Sequence, residues 1–293
     1  MSGTHKESEL RRYFRALYRA WGAQHWWPAE TQFEVIVGAY LTQNTAWMNV
    51  ERALANLRAA NLLRVDGIRR VKLDRLERLI RPSGYFRQKA GRLKTFVAFL
   101  DREYGGSLDR LFSQPTDQLR EELLNLKGVG PETADSILLY AGNHPVFVVD
   151  AYTRRILARH EILPEKADYE DVRKLMERAL APLALEHGEE TAVCKNQHVG
   201  TAAPGCPVER SSTATSLRTK EARPDPSARQ PELGIRGAAH PPSAMSTANR
   251  TALVQVYNEM HGLLVGVGKH FCGKSQPKCD GCPLQPFLPR GNS

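Results

Sequence analysis

The chain of 293 residues lacks several things, and each absence narrows what it can be. No stretch is long and apolar enough to span a membrane, which takes about 20 such residues. The N-terminal segment MSGTHKESELRRYFRALYRAWG has no secretion-signal core and reads as an amphipathic helix starting near Glu7. A reduced, cytoplasmic setting is therefore expected, and the five cysteines are expected as thiols or metal ligands rather than disulfides. Period-two alternation is missing, so strands are not expected and the fold class is all-α. Acidic residues are in deficit, 32 against 41 basic, and the net charge of +9 suits a polyanionic partner. From Gly188 to Arg250 there is no Phe, Tyr or Trp, and Pro, Ser, Thr, Ala and Arg dominate. Such a stretch cannot bury enough apolar surface to offset its ordering entropy. Residues 188–250 are expected to be a disordered insertion, or a sequence artefact such as a compensated frameshift.

What is present is concentrated in Leu124 to Ile156, LNLKGVGPETADSILLYAGNHPVFVVDAYTRRI. Gly128, Val129 and Gly130 separate two helical runs, and Pro131 suits the first turn of the second. The glycines permit a sharp turn and a close approach, and the free N–H groups at a helix start, beside Lys127, suit a phosphate. An ordinary helical hairpin with a glycine cap fits the same residues. Phe147, Val148 and Val149 then deliver one carboxylate, Asp150, at a position typical of a helix N-cap.

Together these residues resemble the helix-hairpin-helix signature of the endonuclease III superfamily of DNA glycosylases. That signature is L-x-G-V-G-x-x-T-A followed by V-D-x-x-x-x-R, which ends here at Arg155. The resemblance implies that Asp150 is the catalytic carboxylate. It also implies that Lys127, Gly128, Val129, Gly130 and Thr133 grip the DNA backbone. Bifunctional members carry a lysine directly before the motif Thr, where it attacks the sugar. Here that position is Glu132, which points to a monofunctional, hydrolytic glycosylase. A glycosylase with lyase activity through another amine, and a non-catalytic DNA-binding protein, are the alternatives.

Upstream, Phe33 to Leu41 reads as a buried helix that breaks at Thr42, Gln43, Asn44 and Thr45 before resuming through Trp47. Such a break is costly unless its amides find partners. With the preceding Trp26-Trp27-Pro28, it is similar to a subgroup that includes 3-methyladenine DNA glycosylases. The endonuclease III resemblance implies that Gln43 enters the duplex near the extruded base; Trp26, Trp27 and Trp47 are expected to stack on that base, Asn44 and Glu132 to line the same pocket, and Lys269, after a glycine near the pocket-facing helix, to join the lining, the substrate being double-stranded DNA with a damaged, alkylated purine. One of the paired tryptophans is expected in the core and the other on a pocket wall. Arg87, Lys89, Arg92 and Lys94 form a charge run that reads as a solvated or DNA-facing surface.

The C-terminal cysteines Cys272, Cys279 and Cys282 have the spacing C-x6-C-x2-C. Relatives hold a 4Fe–4S cluster with a fourth cysteine six residues further on, and here that position is Leu288. A three-cysteine cluster, zinc completed by His270, and an empty degenerate site are the possibilities; Cys194 and Cys206 lie in the insertion. The expected organisation is a glycosylase core of residues 1–187 with 251–271, the insertion, and a cysteine loop and tail over 272–293. Two helical lobes should flank a central cleft in a monomer, with Asp150 and the paired tryptophans facing it.

Overall fold

The computed structural model describes residues 3–196 and 250–289, the side chains of 186–196 excepted. Helix α1 (Gly3–Trp21) turns Leu10, Tyr13, Phe14 and Leu17 into the interior. Helix α2 (Gln32–Thr42) is capped by Thr31, whose side chain accepts from the Glu34 N–H, and buries every residue from Phe33 to Leu41. A helix apolar on all faces belongs at the centre of a domain. Around it stand α3 (Trp47–Ala59), α4 (Val65–Arg70), α5 (Leu73–Leu79), α6 (Phe86–Tyr104), α7 (Leu108–Phe112) and α8 (Thr116–Leu124). These make the first lobe.

Helix α9 (Pro131–Ser136) continues into a π turn, Ile137–Ala141, buried throughout and packed on α2. An extended apolar segment, Val146 to Val149, then leads to α10 (Ala151–Arg159). Helices α11 (Tyr169–Asn196) and α12 (Ala252–His270) pack against each other and against α1, completing the second lobe. No strand occurs among the described residues. One continuous apolar core runs through both lobes.

The structure departs from expectation in three places. Helix α1 starts four residues before Glu7. Helix α11 continues to Asn196, past the start of the expected insertion, whose remainder up to 249 lies outside the described residues with Cys206. Lys89 is not part of a solvated face: it is 1 % exposed. Its ammonium donates to Leu41 O (2.8 Å), Thr45 Oγ1 (2.7 Å) and Ser83 O (2.7 Å). Charge spacing could not reveal this, because the acceptors belong to two turns distant in sequence. Burial pushes the Lys89 amine down to about 8, with the Arg92 cation adding to the effect. Lys89 thereby supplies a partner that the polar break after α2 requires.

Candidate functional site

A cleft of about 910 Å³ lies between the lobes. Its walls bring together Trp26, Trp27, Gln43, Asn44, Trp47, Glu132, Asp150 and Lys269, which lie far apart in sequence.

The hairpin occupies one rim. After α8, Gly128 adopts φ +83°, and a Cβ there would fall 2.1 Å from Nε of Arg92. That glycine is required twice, by the left-handed backbone and by the arginine lying across it. Gly130 caps α9 with φ −98°, and a Cβ there would meet nothing within 4 Å. Lys127, Gly128 and Gly130 are exposed, whereas the side chains of Val129 and Thr133 are buried. The side chains of Val129 and Thr133 anchor the hairpin from inside. Gln43 ties the hairpin to the first lobe. Its Nε2 donates to Gly128 O (3.0 Å) and Thr133 Oγ1 (2.9 Å), and its Oε1 accepts from Arg92 (2.5 Å). Asn44, next to it, is exposed in the left-handed region at φ 51°.

Asp150 is the N-cap of α10. Its Oδ1 accepts from the Thr153 N–H at 2.7 Å, and its Oδ2 lies 3.6 Å from Nε2 of His261 on α12. Burial pushes the carboxyl up, but His261 and the Thr153 N–H outweigh it, so Asp150 sits below the usual carboxylate range. Glu132 goes the other way, pushed up to about 7 by desolvation and then by the Asp150 charge. Two carboxyls in one cleft with opposite shifts are an arrangement suited to acid–base work.

The aromatic wall divides as the sequence suggests. Trp27 is buried, its ring 5.2 Å from Trp47 and 5.2 Å from Tyr140. Trp26 is half-buried, and Lys269 Nζ stands 5.4 Å over its ring. The Trp26 indole N–H has no hydrogen-bond partner, whereas that of Trp47 donates to Glu51 (2.8 Å). Glu259 of α12 holds this segment by accepting from the backbone N–H groups of Gln24 and His25. His261 went unassigned by sequence reasoning, although a histidine inside the apolar face of α12 was a signal; Arg92 stood in the charge run, with nothing local to show that it crosses Gly128 and meets Gln43.

Cys272, Cys279, Cys282 and Leu288 line a separate cavity of about 330 Å³ behind α10. Arg159 fastens the loop there by donating to Cys272 Sγ (3.1 Å), Gly273 O (2.7 Å) and Lys274 O (3.0 Å), and Arg155 donates to Cys272 O (2.7 Å). Burial and then the neighbouring thiols push Cys282 up. Among the described residues no group of three or more His, Cys, Asp or Glu stands close enough to hold a single metal ion, and His270 is exposed.

The family described as HhH-GPD superfamily base excision DNA repair protein matches residues 37–182. A Methanocaldococcus jannaschii protein assigned as a DNA repair glycosylase is 48% identical over 174 residues, 59% of this chain and 79% of that one. Endonuclease III of Thermotoga maritima is 34% identical over 127 residues, 43% of this chain, which spans only 55% of that relative's length. The crystal structure of H. pylori 3-methyladenine DNA glycosylase bound to 1,N6-ethenoadenine aligns with TM-score 0.58 at 24% identity, over 92% of this chain and 98% of that one. Endonuclease III trapped as a covalent intermediate with DNA aligns with TM-score 0.61 at 17% identity, over 98% of this chain and 96% of that one. At these identities the structures speak for the fold. With its helix-hairpin-helix, the following Asp150 and a 48%-identical relative covered over most of its length, the chain belongs to the HhH-GPD superfamily of base excision DNA repair proteins.

Proposed function

We propose that this protein is a monofunctional DNA glycosylase that hydrolyses the N-glycosidic bond of an alkylated purine flipped out of duplex DNA. The observation that carries the reading is the cleft itself. An ionised Asp150 lies among aromatic walls, and Glu132 stands where a Schiff-base lysine would be needed. Lys127 and the open backbone at Gly128 and Gly130 hold phosphates. The extruded base enters between Trp26 and Trp47, whose electron-rich faces favour a cationic ring.

As the C1′–N bond breaks, its electron pair leaves with the base, and an alkylated purine already carries the positive charge that accepts it. The sugar becomes cationic, and Asp150 stabilises it. Water then bonds to C1′ and passes its proton to Asp150. Glu132 accommodates the cationic base by releasing its own proton, which its position near 7 makes easy. In the C-terminal cavity, Cys272, Cys279 and Cys282 would hold an iron–sulfur cluster through three thiolates, with Leu288 leaving the fourth corner without a protein donor. Such a cluster would cross-link the terminal loop to itself, and Arg155 and Arg159 tie that loop to α10.

The testing experiment is base release from duplexes carrying different lesions, analysed with and without alkali. Release of an alkylated purine leaving an intact abasic strand, cut only by alkali, is expected; strand cleavage without alkali contradicts the monofunctional reading. Lys269 favours a second reading as a lyase, since it is an amine lining the same cleft.

A further inference from the structure

Behind Asp150 lies a chain of buried polar groups that the reaction outlined above does not use. His261 is 5 % exposed within the buried face of α12. Its Nδ1 is hydrogen-bonded to the hydroxyl of Tyr140, itself buried in the π turn. Its Nε2 has no hydrogen-bond partner and points to Asp150 Oδ2 across 3.6 Å. Leaving a buried ring nitrogen unpaired is unfavourable, and native structures rarely do so without a reason. A phenol that donates to Nδ1 leaves the neutral ring with its proton on Nε2, directed at the carboxylate. The gap is too wide for a hydrogen bond yet short enough to close with a small side-chain shift, as such contacts do when substrate fills a site.

The surroundings make a dedicated partner necessary. Glu132 from α9 faces the same space and disfavours a second negative charge there. Arg154 from α10 is the countering cation on the first turn, and Arg250 and Glu259 act on the Tyr140 end with opposite signs. Lys269 of α12 shares the cleft wall but is placed over Trp26. His261 is the imidazole in the chain, linking the phenol on one side to the carboxylate on the other.

We propose that Tyr140, His261 and Asp150 act as one unit in which His261 is a positioning residue: its Nε2–H closes on Asp150 Oδ2 when DNA occupies the cleft, holding and orienting the carboxylate opposite the sugar. The inference rests on Asp150 being the catalytic carboxylate, and the experiments separate the two claims.

The first measurement is independent of catalysis. Nitrogen-15 NMR of the histidine-labelled full chain should show His261 as the Nε2–H tautomer, and Tyr140→Phe should erase that preference. A wild-type Nδ1–H tautomer overturns the chain. The second is the pH dependence of base release. His261→Phe preserves the packing and removes the donor, so kcat should fall at least tenfold at neutral pH with the duplex KM little changed. Its acid limb should move up by about one pH unit or more. His261→Gln, with an amide N–H near the place of Nε2, should recover much of both. Melting of each DNA-free variant shows that it is folded, and Tyr140→Phe carries the same test at one remove if His261→Phe does not fold. A His261→Phe acid limb identical to wild type, or a loss confined to KM, overturns the positioning role. Base release retained by Asp150→Asn overturns the Asp150 reading instead, whatever the tautomer shows.

Discussion

Asp150 and Glu132 share one cleft, yet their neighbours drive them apart. The first is held below the carboxylate range by His261 and the Thr153 N–H against the cost of burial; the second is raised by desolvation and by Asp150 itself. Replacing Asp150 by Asn keeps the side chain's size and its cap on Thr153 while removing the charge. Base release should drop at least a thousandfold, with affinity for the duplex within about threefold, measured by single-turnover release and by titration binding. Comparable losses in both would make Asp150 a structural cap. Glu132 carries no amine, so borohydride should trap no covalent complex with lesion DNA. Glu132→Lys should gain some trapping, because the residue occupies the wall beside Asp150. Efficient trapping by the wild-type protein would move the assignment to a lyase using Lys269 or another amine.

At the scale of the element, the hairpin separates two uses of glycine. Gly128→Ala forces a Cβ into Arg92 and a side chain into left-handed backbone, a cost of about 1–2 kcal/mol before Arg92 moves. Gly130→Ala meets no atom and needs no unusual backbone, so stability should stay within about 0.5 kcal/mol. Both should weaken duplex binding, the first through a loosened rim and the second by blocking the approach of a phosphate. Chemical denaturation and binding titrations on the two variants give the comparison, and unaltered binding by Gly130→Ala would remove that face from the interface. Lys89, buried, joins the turn after α2 to the turn before α6 through three acceptors. Its folded-state value of about 8 lies below the roughly 10.4 of a free lysine. Between those values the unfolded chain binds more protons, so this group's contribution rises with pH across that window and its cost is complete below about 8. Relative to Lys89→Met, the wild-type melting temperature should therefore gain between pH 7 and pH 10. A constant difference would show that the ammonium is not desolvated.

For the whole molecule, the two lobes share one core but divide the work at the cleft. The first lobe contributes the Gln43–Asn44 break; the hairpin runs between the lobes; the second contributes Asp150, His261 and Lys269. The cysteine loop sits behind α10, pinned by Arg155 and Arg159, so the helix that Asp150 caps also carries the loop. Anaerobically purified protein should hold iron and acid-labile sulfide, about four irons per chain, if the thiolates bind a cluster. Cys279→Ser should abolish it. Full-length protein devoid of iron after anaerobic reconstitution would mark the site as degenerate.

Local residue chemistry determined much of this protein. The Gly-Val-Gly turn, Pro131, the apolar run ending in Asp150, the almost fully apolar α2 and the polar break after it are encoded within a few residues each. Backbone sterics and helix periodicity act over that range, so the all-α class, the hairpin and the candidate carboxylate were legible without a fold. What only the tertiary structure decided depends on partners far apart in the chain. Lys89 looked like a surface charge until Leu41, Thr45 and Ser83 surrounded it. Val129 and Thr133 turn their side chains inward because the core and Gln43 receive them. His261 became a partner of Asp150 because α12 packs on α10, more than a hundred residues away in sequence. Desolvation and hydrogen bonding depend on distance in space, and the chain specifies those distances only once its apolar faces have been buried together.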